Sequence, residues 1–152
     1  MTNTTQIEQN LETWATNMKE AMDPEFDLTT AEEISLDQTT FENDEIVEKD
    51  WDTIVSKCKE CLAFSATQCG LTKVAAPSKE LPLEVVDFSE NAISDISFVK
   101  QFPALVSLTL ADTKLAKMED LEVLKSLEKL QILEVVTEDN LGFGEDEEGE
   151  EY

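Results

Sequence analysis

Three cysteines, 35 carboxylates and a final tyrosine are the side chains of this 152-residue chain with chemistry to offer. Cys58-Lys-Glu-Cys61 spells CxxC, and Cys69 lies eight residues on. Such a pair suits dithiol exchange or, with further ligands, zinc. A fourth ligand and a second CxxC are both missing, and Cys61 and Cys69 occupy slots of the repeat described below. They are therefore expected to be structural thiols, with no metal site. An odd, sparse cysteine set suits a reducing interior. The chain has no His, and all eleven basic residues are Lys. The commonest general base near neutral pH and the bidentate guanidinium clamp are thus missing. No GxSxG, glycine-rich phosphate loop or HExxH occurs, and carboxylate pairs are too numerous to be informative. No catalytic residue and no cofactor are expected, and the chain is not expected to be an enzyme.

The 35 acids face 11 lysines, for a net charge of −24. Nucleic-acid binding needs a basic stripe that releases counterions, and anionic membranes repel such a chain, so neither is an expected partner. A basic protein is. The C-terminal acids Glu145, Asp146, Glu147, Glu148, Glu150 and Glu151, with Tyr152, form an acidic tail suited to long-range attraction that weakens with salt. Its last residues also resemble the α-tubulin tail, whose acidic-acidic-tyrosine terminus is read by CAP-Gly-type domains. Sixteen acids lie in residues 1–60, thirteen in 61–144 and six in the tail, so the tail is not the main source of the field. Met1-Thr2-Asn3-Thr4-Thr5-Gln6 has no cationic start before an apolar stretch, and no apolar run approaches the ~20 residues of a membrane span. The expected location is the nucleus and cytoplasm.

The elements that position these groups are legible from periodicity. Ile7, Leu11, Trp14, Met18 and Met22 form one helical stripe over 5–22, opened by the capping box Thr5-Gln-Ile-Glu8 and ended at Asp23-Pro24. Leu83-Glu-Val-Val86-Asp-Phe88-Ser-Glu-Asn91-Ala-Ile93 fits LxxLxLxxNxL, the leucine-rich-repeat pattern, at every constrained position. Leu105, Leu108, Leu110, Thr113 and Leu115 repeat it; so do Cys61, Phe64, Ala66, Cys69 and Leu71. A degenerate copy runs Ala31, Ile34, Leu36, Thr39 and Phe41, and a last one runs Leu130, Leu133 and Val135. Copies starting at 31, 61, 83, 105 and 130 are 30, 22, 22 and 25 residues apart. Each would supply a short strand, a tight turn stabilised by the Asn or Cys slot, and a return segment; stacked units share one core. Ile96, Val99 and Phe102, then Met118, Leu121 and Leu124, should turn inward from the returns. Residues 44–59, with Ile46, Val47, Trp51, Ile54, Val55 and Cys58, should form a longer helical return. The expectation is an α/β leucine-rich-repeat solenoid of about five short parallel strands, with a helical or 3₁₀ convex side and an N-terminal helical cap. It spans residues 1–136, and a disordered acidic tail spans 137–152.

The run Cys61 to Val74, the two full repeats, Leu130-Gln-Ile-Leu133 and Glu33-Ile-Ser-Leu36-Asp37 after a helix together resemble the acidic leucine-rich nuclear phosphoproteins, over roughly residues 5–136. The resemblance implies non-enzymatic work: histone binding, chaperoning and protein phosphatase inhibition. The family's Tyr- and Leu-containing C-terminal cap is replaced here by Leu141-Gly-Phe143-Gly, its acidic tail is longer, and its basic import cluster is missing. An uncapped last repeat would leave an apolar edge beside Leu130, Leu133 and Val135, open to self-association or to an atypical cap from Leu141 and Phe143.

Strand positions outside the core should line the concave side. The register puts Glu32, Glu33, Ser35 and Asp37 there, then Ala63, Ser65 and Thr67, then Glu84, Val85, Asp87 and Ser89. Val106, Ser107, Thr109 and Ala111 follow, then Gln131, Ile132, Glu134 and Val136. Glu32, Glu33, Asp37, Glu84, Asp87 and Glu134 are the candidate partner-binding residues, with no Lys among these positions. The expected function is masking of a basic, histone-like protein by this face and the tail. Alternatives are a cytoskeletal or scaffold module read through Tyr152 by a CAP-Gly-type domain, and a phosphatase regulator.

Overall fold

Thr5 caps the first helix, α1 (Gln6–Ala21), in a complete capping box: its side chain accepts from Glu8 N while Glu8 accepts from Thr5 N. The computed structural model describes residues 5–115 and 118–135. The expected stripe buries Ile7 and Leu11 and half-buries Trp14 and Met18, but Met22 is 72% exposed, so the helix packs by its N-terminal half. Asn10, buried on the same side, donates to Thr40 O at 2.9 Å.

Seven strands follow among the described residues: β1 (Glu33–Ser35), β2 (Glu45–Ile46), β3 (Ala63–Ser65), β4 (Lys73–Val74), β5 (Val85–Asp87), β6 (Ser107–Thr109) and β7 (Ile132–Glu134). They form an α/β fold with a five-stranded parallel sheet in the order β1-β3-β5-β6-β7, and β2 pairs β4 in a separate parallel ribbon. Each strand of the large sheet begins two residues after the first apolar position of a sequence copy. In register, Ile34, Phe64, Val86, Leu108 and Leu133 stand side by side. Alternation then sends Leu36, Ala66, Phe88 and Leu110 to the same buried side, all at 0% exposure. The second helix, α2 (Glu48–Lys57), and 3₁₀ segments at Ser97–Gln101 and Met118–Ser126 make the return path.

The return segment expected over 44–59 is corrected in two ways. Glu45 and Ile46 are strand, paired with Lys73 and Val74, because Thr72 N and Ala75 N donate to Asp44 O and Ile46 O. Helix α2 therefore starts later, and its inward face is Trp51, Ile54 and Cys58, while Val47 and Val55 are exposed. Ile96, Val99 and Phe102 are buried as the spacing predicts, and Leu121 is buried with Leu124 packed against the core. The Met118 side chain lies outside the described residues.

The core is organised by a closed circuit of five aromatic rings: Trp51–Phe64 (5.5 Å), Phe64–Phe88 (5.8 Å), Phe88–Phe98 (5.5 Å), Phe98–Phe102 (6.1 Å) and Phe102–Trp51 (5.5 Å). Most of these pairs meet edge to face, the arrangement favoured by the ring quadrupole. One ring comes from β3, one from the residue that follows β5, two from the 97–102 region and one from α2, so the circuit locks the sheet to its return layer. Trp51 Nε1 donates to Ala75 O at 2.8 Å, which leaves the indole without an unmet polar atom.

Candidate partner-binding face

The turns that follow β1, β3, β5 and β6 are built the same way. Gln38, Gln68, Glu90 and Asp112 have φ of 63°, 56°, 63° and 59°, the left-handed region that is uncommon for residues other than Gly. A repeated ladder holds the first three there: Gln38 N donates to Thr67 O, Gln68 N to Ser89 O and Glu90 N to Ala111 O. Their side chains add a second ladder, Gln38 Nε2 donating to Gln68 Oε1 at 2.7 Å and Gln68 Nε2 donating to Glu90 Oε1. The next residue in each turn is the Asn/Cys/Thr slot. Buried Asn91 accepts from Cys69 N and Leu71 N at 3.0 and 3.1 Å and donates to Ala66 O and Phe88 O at 2.8 and 2.9 Å. Thr39 and Thr113 donate to Leu36 O and Leu110 O, and Cys69 Sγ donates to Leu36 O. These bonds satisfy turn backbone groups that burial would otherwise orphan.

On the solvent side of the sheet the register aligns two rows. One is Glu33, Ala63, Val85, Ser107 and Ile132; the other is Ser35, Ser65, Asp87, Thr109 and Glu134. Neighbouring members of a row are about 4.8 Å apart, the strand spacing. Glu32, Glu33, Glu84 and Glu134 are exposed and Asp87 is half-buried. None of these five has an ion-pair partner among the described residues; Lys125 pairs with Glu122 instead, at 3.1 Å in the 118–126 return segment. Val85 and Ile132 are 43% and 56% exposed, large apolar groups set among the carboxylates. The face thus combines negative charge with open apolar surface.

Two expected positions behave differently. Asp37 is tied into the protein: Ser65 Oγ, Thr67 N and Ser35 Oγ donate to it at 2.6, 2.8 and 3.0 Å. Partial burial pushes its carboxyl up, but these three donors outweigh that and hold it below the usual range. Asp37 is a latch between β1 and β3 more than a free contact. Ser89, expected on the open side, is buried and accepts from Ala111 N through its hydroxyl at 3.1 Å. The positive-φ ladder was missed in the sequence, although Gln38, Gln68, Glu90 and Asp112 each stand one residue before the Asn/Cys/Thr slot and all are polar.

The cysteines are free and buried. Burial pushes the Cys58 thiol up to about 12, with Cys61 adding to the effect, and the Cys61 thiol up to about 11; Cys69 is also raised by burial. Protonated at neutral pH, they are poor nucleophiles. Among the described residues no cluster of three or more His, Cys, Asp or Glu is placed to hold a metal, and no helix is long and apolar enough to cross a membrane. Val136 and the tail from Glu145 to Tyr152 lie outside the described residues. No family model, no curated protein and no solved structure matches this chain.

Proposed function

We propose that this chain is a leucine-rich-repeat solenoid that binds a basic protein segment on its open sheet face and masks it, acting as a chaperone or inhibitor. One observation carries this reading: the strand register gathers Glu33, Asp87 and Glu134 with exposed Val85 and Ile132 in two rows that hold no Lys, and Glu84 is exposed just before β5. The solenoid assignment is supported by the coincidence of the repeat pattern with sheet register and with the four equivalent turns. The partner's chemistry follows from the surface. Carboxylates supply attraction and on-rate, the two apolar side chains supply dry contact, and together they favour a Lys/Arg segment interleaved with aliphatic residues. Histone-like proteins fit that description, and the resemblance to acidic leucine-rich nuclear phosphoproteins points the same way. No observation favours the CAP-Gly or phosphatase alternatives; the former depends on Tyr152, outside the described residues.

The test is titration with a core-histone complex at ~150 mM salt, where charges beyond about 8 Å are screened. Glu84→Lys with Asp87→Lys should weaken binding roughly tenfold or more, since two attractive contacts become repulsive. Unchanged affinity would remove the open face from the mechanism.

A further inference from the structure

The sheet stops at β1, and one side of that strand's backbone is left over. Pairing alternates along each strand. Ala66 N, Phe88 N and Leu110 N donate to the following strand, at Asp87 O, Thr109 O and Glu134 O; Ala63 N, Val85 N and Ser107 N donate back to the preceding one, at Glu32 O, Leu62 O and Glu84 O. In β1 the first set is in use, since Leu36 N donates to Ser65 O and Gln38 N to Thr67 O. The second set is the N–H and C=O groups of Glu33 and Ser35, and β1 comes first in the sheet order, with no strand before it. Among the described residues no group bonds to them. Helix α1 covers the core through Ile7 and Leu11 and reaches Thr40 O through Asn10, past the end of β1, without closing this edge. Glu33 is exposed and Ser35 half-buried.

We propose that the β1 edge takes up an extended, lysine- or arginine-bearing segment of a partner protein as an added strand. Free main-chain donors and acceptors on a strand edge are a template for such pairing. The charge around it selects the occupant: residues 20–48, which hold β1 and both its flanks, contain eleven acids and no lysine. A second copy is disfavoured, because it would bring the same acids against themselves. Side chains of the added strand on the open side would stand beside Glu33 and Ser35. The pairing goes beyond the proposed face, since it uses main-chain groups of β1 and not the side chains of the five strands.

The probe is an acetylated, amidated peptide of alternating lysine and valine, titrated into the full chain at ~150 mM salt and followed by amide exchange. The Glu33 and Ser35 amides are expected to exchange fast in the free chain and about tenfold more slowly at saturation, while the Ser107 amide, already bonded to Glu84 O, stays as it was. N-methylating one alternate set of peptide amides should weaken binding about tenfold or more, and N-methylating the other set, at the same charge, should change it little. Glu33→Pro removes an outward N–H at the first strand residue, where proline is tolerated, and should weaken the peptide more than Glu33→Gln, which removes the same charge. The proposal is overturned if Glu33 and Ser35 are already protected in the free chain, if the peptide binds without slowing them, or if the two methylated peptides bind alike.

Discussion

The two faces of one five-stranded sheet differ in almost every physical respect, although they alternate residue by residue along the same strands. Inward, Ile34, Phe64, Val86 and Leu108 stand in register with at most 1% exposure, backed by the aromatic circuit and by thiols kept neutral by burial. Outward, Glu33, Val85, Ile132 and Glu134 stand exposed in the intervening positions with half-buried Asp87, and none of the acids has an ion-pair partner among the described residues. The inner side therefore carries most of the packing, while the outer side adds the Asp37 latch and otherwise leaves its acids without ion-pair partners among the described residues.

Substitutions on the two sides should separate stability from binding. The largest effect belongs to the ring circuit: Phe88→Ala should destabilise by about 3–5 kcal/mol, because Phe64 and Phe98 both lose their partner and a cavity opens. Chemical denaturation would show the midpoint shift, and a loss under about 1 kcal/mol would mean the core is not packed as described. Asn91→Ala comes next, at roughly 2–3 kcal/mol, since Cys69 N, Leu71 N, Ala66 O and Phe88 O would be left short of partners inside the protein. Asn91→Asp should recover little, as it keeps the acceptor but loses the bonds donated to Ala66 O, Phe88 O and Ser89 O.

Smaller effects come from titration, and they too differ by face. Cys58 and Cys61 have folded values raised above the unfolded one, so their contribution is fully present below about pH 8.5 and is lost as pH rises toward about 11 to 12. Melting temperature should fall over that alkaline range, and less so in Cys58→Ala once its own cavity cost is subtracted. Asp37 has the opposite sign: its value is depressed, so its contribution is present above about pH 4 and disappears as acid protonates it. Asp37→Asn should flatten the acid limb slightly. A melting profile identical to wild type in both limbs would mean that neither burial nor the latch acts on these groups.

Much of this arrangement was readable from the chain. The apolar spacing from Leu83 to Ile93 located β5, its turn and the buried Asn91, and the same spacing elsewhere set the register of all five strands. Thr5 and Glu8 announced the start of α1. What escaped has a common physical cause: it depends on contacts between units. The β2–β4 ribbon has two-residue strands, too short to show alternation. The ring circuit joins residues 51 to 102, whose meeting no local period reports. The latch at Asp37 needs Ser65 and Thr67, some 30 residues away, and Ser89 looked solvent-facing until the next unit's Ala111 covered it. Of the candidate acids, the exposure of Glu33 and Glu134 was foreseeable from alternation; Glu32 and Glu84 share the parity of buried Ile34 and Val86 but precede the paired strands, and the engagement of Asp37 was not foreseeable.

The central claim is that the shape and register of the open face, beyond net charge, select the basic partner. It is tested most directly by titrating a core-histone complex with two charge-matched variants, Glu84→Lys/Asp87→Lys on the sheet and Glu12→Lys/Glu20→Lys on exposed positions of α1. Both change net charge equally. The account predicts roughly tenfold or greater weakening for the sheet variant and a several-fold smaller change for the helix variant at ~150 mM salt. Equal losses from the two would contradict it and leave only bulk electrostatics.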